Sequence, residues 1–476
     1  MPRTPAGDGL GAAATCGAET DFAAVRAELG LARDYPAEAL AELERPVAGL
    51  PGRRRDATDL PLVTLDPPGS RDLDQAVVLQ RRRSGYRVHY AIADVAAFVT
   101  PGGALDAEAR RRGQTLYLPD GKVPLHPDGL AEDGASLLPG AVRPAVLWTF
   151  DLDSDALPVR VSVCRAIVRS TARLDYRGVQ GELGLGVAHP SIELLPEVGR
   201  LRRKQAAQRG AIELGLPEQQ VEPDGAGGWR LMLRPRPAVE EYNAEISLLT
   251  GMCAAEMMLS AGTGVLRTVP DPEPDVVAGL RRSADRLGVH WPSGTSAGGA
   301  LAALPADRPE ALAVHVAAAR LLRGAGYTAF DGGAPAQTGH AGIGAAYAHV
   351  TAPLRRLVDR FAAEVCLATA DGRDVPRWAR DALAELPSAM GGSDRVAARV
   401  ERACIDQVQA WSLAHRVGAE FPATVLRSAN GSAGEVYIAD PPVIAPCSGV
   451  PGEGSRVRVR LVRADPDTRT VAFEVA

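Results

Sequence analysis

Acidic side chains are crowded into one short stretch of this chain, where Asp66, Asp72 and Asp74 precede Gln75. Carboxylates at this density repel one another unless a cation or water screens their charge. The apolar run at 76–79 that follows argues against simple solvation. The stretch therefore predicts a magnesium site held by Asp66, Asp72 and Asp74, to which Gln75 could add only a neutral oxygen.

The spacing of these residues suggests how they could meet. In a β-strand residues two apart point to the same side, so Asp72 and Asp74 are expected to face together while Leu73 faces the other way. A Pro-Pro-Gly-Ser turn at 67–70 could bring Asp66 back to the same point, as an octahedral cation with oxygen ligands requires. The alternative is a solvated acidic turn at the start of a strand.

The composition is that of an ordinary globular chain. Its 476 residues are 46% hydrophobic and 23% charged, enough for two or three domains with a sizeable core. The net charge of -5 does not mark a nucleic-acid binder, although it is compatible with an internal basic channel. Six scattered cysteines without a Cys-x-x-Cys pair argue against a zinc site or a disulfide framework.

Targeting signals are not evident in the sequence. The N-terminus has no apolar run of signal-peptide type, and no stretch approaches the length of a membrane span. We therefore expect a cytoplasmic protein that does not contact a membrane. The sequence indicates no protein partner, and a monomer is expected.

The chain divides into predicted regions of different character. A Gly/Ala-rich start, expected to be disordered over 1–18, precedes two short helices between 21 and 44. Strands dominate from 60 to 163, and helices follow from about 196, including 239–261, one starting near Pro353 and one over 394–417. Short β runs at 421–425, 436–438, 456–462 and 470–475 predict a small oligonucleotide-binding barrel. A β-domain without RNA binding would look the same.

Sequence blocks in a fixed order resemble those of a known family. Besides Asp72-Leu-Asp74-Gln75 they are Ala91-Ile92-Ala93-Asp94-Val95, Leu105-Asp106-x-Glu108-Ala109-x-x-Arg112-Gly113-x-x-x-Tyr117-Leu118-Pro119, residues 124–137, Arg169-Ser-x-x-Arg173-Leu174-x-Tyr176 and Tyr347-x-His349-x-Thr351-x-Pro353-Leu354-Arg355-Arg356-x-x-Asp359. They resemble the RNB catalytic domain of the ribonuclease II and ribonuclease R family. The resemblance implies an α+β fold with a short helical N-terminal segment (1–57), an RNB catalytic domain of mixed sheet and packed helices (58–419), and an S1-like OB β-barrel (420–476).

The same resemblance implies a reaction. It is that of a magnesium-dependent exoribonuclease, which hydrolyses single-stranded RNA from the 3′ end to nucleoside 5′-monophosphates. Asp66, Asp72 and Asp74 match the metal-ligand positions, where two cations about 4 Å apart could activate water and neutralise charge on phosphorus. Arg355 matches the transition-state arginine; a helix-surface pair with Asp359 is the alternative.

Seven further matched positions are expected to bind RNA: Tyr117, Tyr176, Glu245, His349, Thr351, Arg356 and Glu401. The two tyrosines would stack on bases, or would be core residues with a bonded hydroxyl. The two glutamates would line the site, or would lie on a solvated or ion-paired helix face. The histidine, threonine and arginine would contact RNA, or would be a structural histidine, a helix cap and a surface arginine.

Gln75 departs from the family pattern, whose common fourth residue is an aspartate. A neutral carbonyl oxygen is a weaker ligand for a hard cation, so the rival hypothesis is an RNA-binding protein with a catalytically weakened core. A phosphodiesterase acting on DNA or short oligonucleotides is a third alternative. The segment before Asp66 is too short for the paired N-terminal cold-shock barrels common in the family, so substrate choice is expected to differ.

Overall fold

The fold is that of a computed structural model of the chain, which describes residues 21–43, 53–216, 218–225, 227–234, 236–304, 308–429 and 432–476. The segment 1–18, for which disorder is predicted, lies outside these described residues. Helices and sheets are mixed along the chain, which confirms the α+β prediction.

The strands of the described residues pair into two closed barrels and four small two-stranded sheets. In chain order they are β1 (Arg55–Asp66), β2 (Gln75–Arg82), β3 (Gly85–Ala93), β4 (Leu116–Leu118), β5 (Gly121–Val123), β6 (Val142–Leu152), β7 (Pro158–Asp175), β8 (Glu218–Pro223), β9 (Trp229–Arg234), β10 (Thr263–Thr268), β11 (Gly326–Asp331), β12 (Gly339–His340), β13 (Ala345–Ala346), β14 (Glu420–Ala429), β15 (Ala433–Ala439), β16 (Pro442–Ser448), β17 (Arg456–Asp465) and β18 (Thr470–Val475).

The α-helices surround the first barrel and connect it to the second. They are α1 (Ala23–Glu28), α2 (Ala37–Leu43), α3 (Ala104–Arg112), α4 (Tyr176–Gly184), α5 (Leu195–Gln208), α6 (Ala238–Ala261), α7 (Pro274–Arg286), α8 (Ala297–Ala302), α9 (Pro309–Ala318), α10 (Leu357–Ala370), α11 (Arg377–Ala382) and α12 (Leu386–Leu413). The two short N-terminal helices and the long helix at 239–261 are confirmed. The last long helix begins at Leu386 rather than at the predicted Asp394.

The first barrel consists of β1, β2, β3, β6 and β7 in that order. Both faces of its strands are apolar because other parts of the protein cover both faces. On one face Val77 and Tyr90 belong to one buried cluster, and on the other face Val78 and Ala91 belong to a second. β1 is antiparallel to β2 and parallel to β7. The end of β1 therefore lies beside the start of β2, which brings Asp66 close to the aspartates that precede β2.

The helix α6 is a core element of the fold. It ends at Gly262, whose φ of +70° is the left-handed conformation that favours glycine after a helix. By length and composition α6 could cross a membrane, contrary to the expectation that no stretch approaches such a span, but 56% of the relevant window is buried inside the protein. Residues such as Ile246 and Leu249 are fully buried, so α6 packs in the interior of the fold.

The second barrel contains β14, β15, β16, β18 and β17 in that order and confirms the predicted small C-terminal barrel. The β runs predicted from the sequence do not include β16, which follows Pro441. Pro442 is the first residue of β16, a position where a strand tolerates the missing N–H of proline.

One apolar core joins this barrel to the rest of the chain. It contains Val400 and Val408 of α12, Phe421 of the barrel, Val25 of α1 and Leu118 of the β4–β5 hairpin. The core therefore crosses the predicted boundary at 419/420 without interruption.

Candidate active site

The loop from Asp66 to Gln75 spans the gap between β1 and β2. Pro68 and Gly69 occupy the central positions of a turn that closes with a 3.2 Å hydrogen bond from the Ser70 N–H to the Pro67 carbonyl. Gly69 has φ of +85°, which suits a type II turn. Asp72 and Asp74 precede β2 instead of lying within it, contrary to the strand prediction.

Asp66 ends β1 and lacks a full set of partners. Its Oδ2 atom is buried and has no hydrogen-bond partner among the described residues. Burial raises the pKa of Asp66 to about 7, Arg355 opposes that shift, and the charge of Asp72 adds to it. A buried carboxylate oxygen without a donor is a site that a cation would stabilise.

Asp74 is 4% exposed. Its Oδ1 accepts a 2.7 Å hydrogen bond from the Leu354 N–H, and its Oδ2 lies 3.4 Å from Nε of Arg355. Burial raises the pKa of Asp74 to about 8 in spite of these partners. The backbone contact fixes the carboxyl group, and the ion pair with the half-exposed Arg355 only partly offsets the effect of burial.

Asp72 is half-buried and faces a different set of groups. The Tyr117 hydroxyl donates to its Oδ2 at 3.0 Å, and Nζ of Lys122 lies 3.5 Å from the same oxygen. Tyr117 itself is 53% exposed, on the short β4–β5 hairpin. Its ring is therefore held beside the aspartates while its surface remains open to a ligand.

These three aspartates fit a hard divalent cation by their donor chemistry. Within the described part of the chain, no three Asp, Glu, His or Cys side chains stand close enough together to form a ready-made metal cage. The aspartates nevertheless influence one another electrostatically, and one of them has an oxygen without a partner. Carboxylate oxygens are the ligands that Mg²⁺ takes, so the donor chemistry suits such an ion, and Asp66 offers an oxygen that no donor occupies.

Gln75 starts β2, and its side chain is fully engaged by the protein. Its amide Nε2 donates a 2.7 Å hydrogen bond to the Thr351 carbonyl. Its Oε1 faces the Tyr90 hydroxyl and, at 3.4 Å, the Ser247 hydroxyl, and it accepts from at least one of them. Tyr90 and Ser247 also contact each other at 2.8 Å. The side chain thus connects the first barrel, the helix α6 and the segment that begins at Thr351.

The 351–357 segment carries the two matched arginines. Arg356 makes a bidentate pair with Asp359, at 2.9 and 2.8 Å, and Asp359 also accepts from the Ala352 N–H at 2.7 Å. Thr351 is buried and does not cap α10, whose N-cap is Arg356. The side chain of Arg355 remains 44% exposed, so Arg355 is available to a substrate whereas Arg356 is held by Asp359.

An open cavity of about 550 Å³ lies next to Arg355. It brings together five residues predicted to act on RNA: Tyr117, His349, Arg355, Arg356 and Glu401. His349 accepts from or donates to the Tyr327 hydroxyl at 2.9 Å, and burial with nearby arginines lowers its pKa well below the usual value. The ring is therefore a neutral partner at the cavity wall.

Tyr176 and Glu245 lie outside this cavity's lining. The hydroxyl of Tyr176 accepts a 3.2 Å hydrogen bond from Nδ2 of Asn243, and the charge of Asp66 contributes to the raised pKa of Tyr176, about 12. Tyr176 thus borders the aspartates from the α4 side. Its roles as a bonded core residue and as an RNA contact are compatible with this position.

Glu245 is directed toward arginines rather than aspartates. It is 6% exposed, and Arg202 and Arg209 are its principal charged neighbours. The structure therefore does not bring Glu245 to the site. The face of α6 that does reach the site carries Asn243 and Ser247, which are four residues apart and share a side of the helix.

Several residues of the site had not been selected from the sequence: Tyr90, Lys122, Ser247, Arg267, Tyr327 and Asp394. Arg267 donates to Asp394 at 2.7 Å and stacks over the ring of Tyr327 at 4.6 Å. Ser247 lies four residues after Asn243 on the same side of α6, and this helical spacing is the signal in the sequence that could have indicated Ser247. The other five residues reach the site only through contacts between distant parts of the sequence.

The comparisons with known proteins agree with this geometry. Residues 54–366, well over half of the chain, match the RNB domain. The chain belongs to the RNB family. Residues 419–476 match the C-terminal S1 domain of RNase II-type exonucleases.

Among RNB relatives, ribonuclease R of Escherichia coli (strain K12) is 30% identical over 348 residues, which cover 67% of this chain. The match covers 41% of the relative's own length, so the chain spans about two fifths of that protein. The whole relative's activity is therefore not transferred by the match alone.

Solved structures share the fold of this RNB chain. The Mycoplasma genitalium RNase R in complex with ribose methylated single-stranded RNA matches with a TM-score of 0.85 and 18% identity, covering 95% of this chain and 77% of that one. Yeast Ssd1, described as a pseudonuclease, matches with a TM-score of 0.69 and 17% identity, covering 92% and 53%. At such identities the likeness concerns the fold, which both a nuclease and a pseudonuclease adopt.

Proposed function

We propose that this chain is a Mg²⁺-dependent 3′-to-5′ exoribonuclease that releases nucleoside 5′-monophosphates from single-stranded RNA. The observation that carries the proposal is the buried, unpartnered Oδ2 of Asp66 near Asp74, together with the exposed side chain of Arg355 and the exposed ring of Tyr117. A buried carboxylate oxygen without a donor costs stability, and a bound cation would remove that cost. The proposal includes a cytoplasmic location and a monomeric state.

The residues of the site would have three roles: metal binding, stabilisation of phosphoryl charge and base stacking. Asp66, Asp72 and Asp74 would hold Mg²⁺, which when bound would supply an activated water and neutralise phosphoryl charge. The guanidinium of Arg355 would stabilise negative charge that develops on the phosphoryl oxygens, because its planar donors match phosphate geometry. The ring of Tyr117 would stack on a base at the 3′ end, which is independent of sequence.

The test uses RNA labelled at its 5′ end, incubated with the whole chain in the presence of Mg²⁺ or of EDTA. A ladder that shortens from the 3′ end, and that is absent with EDTA and with Asp66→Asn, is the expected result. Thin-layer separation of the products should show nucleoside 5′-monophosphates. Shortening from the 5′ end, or internal cuts, would contradict the proposal.

A second candidate is an RNA-binding protein with a weakened catalytic core. It is favoured by Gln75, because the side-chain oxygen of this residue already accepts a hydrogen bond from a neighbouring hydroxyl. Binding of RNA by the native chain without any shortening would select this candidate. Parallel single-stranded DNA and dinucleotide substrates would show whether the phosphodiesterase alternative applies.

A further inference from the structure

Gln75 occupies a position in the acidic stretch where a fourth charged ligand could have stood, and its contacts reveal another task. We propose that Gln75 is a positioning residue and not a metal ligand: it ties the start of β2 to the 351–357 segment and so fixes the direction of Arg355. The inference rests on the proposed function, since it concerns the same site. It assigns metal binding to the three aspartates alone.

The orientation of the Gln75 amide follows from its partners. The Thr351 carbonyl can only accept a hydrogen bond, so the atom that faces it at 2.7 Å must be the nitrogen. The oxygen then faces the hydroxyls of Tyr90 and Ser247. The two hydroxyls also contact each other at 2.8 Å, so their two hydrogens make two of the three contacts and Oε1 accepts from at least one hydroxyl. A cation at Oε1 would compete with that donated hydrogen and would stand against both hydroxyl groups.

The amide of Gln75 helps to hold the 351–357 segment in place. The 351–357 segment is contacted by both neighbours at the start of β2: Gln75 binds the carbonyl of Thr351, and Asp74 binds the N–H of Leu354. On the other side, the N–H of Thr115 donates to the carbonyl of Arg355 at 3.0 Å. The backbone on either side of Arg355 is thus fixed by contacts with separate elements.

A negatively charged residue could not replace Gln75 in this role. A carboxylate at this position has no hydrogen to donate to the Thr351 carbonyl. It would place negative charge against that carbonyl oxygen and lose the link to the segment. The neutral amide is the group that satisfies an acceptor on one side and donors on the other.

The primary test is Gln75→Met, which keeps the length of the side chain and removes both hydrogen-bonding groups. We expect kcat for RNA to fall about tenfold, because a small displacement of a catalytic group is costly, with a smaller change in KM. Binding of Mn²⁺ to the whole chain, followed by electron paramagnetic resonance, should remain unchanged. Amide hydrogens at 352–357 should exchange about tenfold faster, because the segment loses an anchor.

The matched control is Gln80→Met, on the same strand. The side chain of Gln80 makes no hydrogen bond within the described residues, so the same substitution there should leave all three measurements unchanged. Ser247→Ala and Tyr90→Phe provide milder changes if Gln75→Met folds poorly. Each should speed exchange at 352–357 by a smaller factor and leave Mn²⁺ affinity unaltered.

Two outcomes would overturn the inference. Weaker Mn²⁺ binding by Gln75→Met with unchanged exchange at 352–357 would make Gln75 a ligand, and unchanged kcat together with unchanged exchange would deny it any positioning role. If the native chain does not shorten RNA at all, the proposed function fails while the Mn²⁺ and exchange measurements still decide what Gln75 does.

Discussion

Two groups of buried carboxylates in this protein are treated in opposite ways. In the first group, Asp66 has an oxygen without a partner, and Asp74 has one backbone donor and one ion pair, at 3.4 Å, with the half-exposed Arg355. In the second group, Asp94 accepts from Arg54 at 2.7 Å and from Arg165 at 2.6 Å. We call them the aspartate group (Asp66, Asp72 and Asp74) and the arginine-paired group (Asp94, Glu364, Arg54 and Arg165).

The arginine-paired group is electrically complete within the fold. Arg165 bridges Asp94 and Glu364, all four side chains are nearly inaccessible to solvent, and the group borders a second cavity of about 990 Å³. The difference shows where stability and function separate: paired buried charges maintain the structure, while unpaired ones cost stability and persist where a ligand completes them. Variants that remove a charge from one group or the other should therefore affect activity and stability differently.

The largest effect is expected for Asp74→Asn in the aspartate group. RNA cleavage should fall by roughly 10⁴-fold, about 5 kcal/mol in the barrier, because metal-assisted hydrolysis depends on these oxygens. The melting temperature of the metal-free chain should change little at pH 7, since burial raises the pKa of Asp74 to about 8 and asparagine resembles the neutral acid.

The same chemical change at Asp94 is the matched control. Asp94→Asn should lower the melting temperature, because Arg54 and Arg165 lose the carboxylate they share. Equal thermal effects of the two variants would contradict the proposed division between the groups. Cleavage by initial rate and unfolding by circular dichroism measure the two quantities separately.

The next largest effect is expected for Arg165→Met. Removing this arginine leaves Glu364 without its charged partner, and breaking a buried pair from one side costs about 3–5 kcal/mol. Urea unfolding should show this loss in the free energy of unfolding. Adding Glu364→Leu should recover part of it, and a double variant no more stable than the single one would argue against the pairing.

A smaller effect, on activity alone, is expected for Arg355→Lys. The loss of the planar guanidinium should reduce kcat by about 10²-fold, about 3 kcal/mol, while the free energy of unfolding changes little. Arg356→Lys is the matched control, because Arg356 is committed to Asp359. It should lower stability more than Arg355→Lys does, and the reverse order would refute the assignment of the two arginines.

The smallest effect is expected for Tyr117→Ala. Loss of base stacking should weaken binding of single-stranded RNA by about 1–2 kcal/mol, measured by fluorescence anisotropy without divalent metal. Tyr117→Phe keeps the ring and removes the hydroxyl that donates to Asp72. Its affinity for RNA should stay near that of the native chain; a loss as large as that of the alanine variant would assign the effect to the hydroxyl.

The sequence predicted those features that depend on nearby residues or on ordered motifs. The strands around the acidic stretch, the final barrel, and the convergence of Tyr117, Arg355 and Glu401 on one cavity are all found in the structure. The spacing rule failed for Asp72 and Asp74 because the strand begins only at Gln75.

What the sequence did not predict depends on long-range contacts. Gln75 and Thr351 are 276 residues apart in the chain, and no local pattern joins them. The family motif predicts Glu245 as a site residue, but the rotation of α6 about its own axis directs this side chain toward Arg202 and Arg209. Tertiary packing sets that rotation, and neither helix propensity nor hydrophobic periodicity specifies it.

The apolar core shared by α12, the β4–β5 hairpin and the second barrel bears on how RNB proteins can be recombined. The 28 residues of α12 extend about 42 Å; the helix lines the cavity at Asp394 and Glu401, and its last residues enter the core of the S1 domain. A chimera joined at 419 would pair one parent's Val408 and Leu413 with another parent's barrel interior. Crossovers placed before Leu386, with α1 and the hairpin exchanged as well, would keep Val25, Leu118 and Val408 with the barrel interior of their own parent.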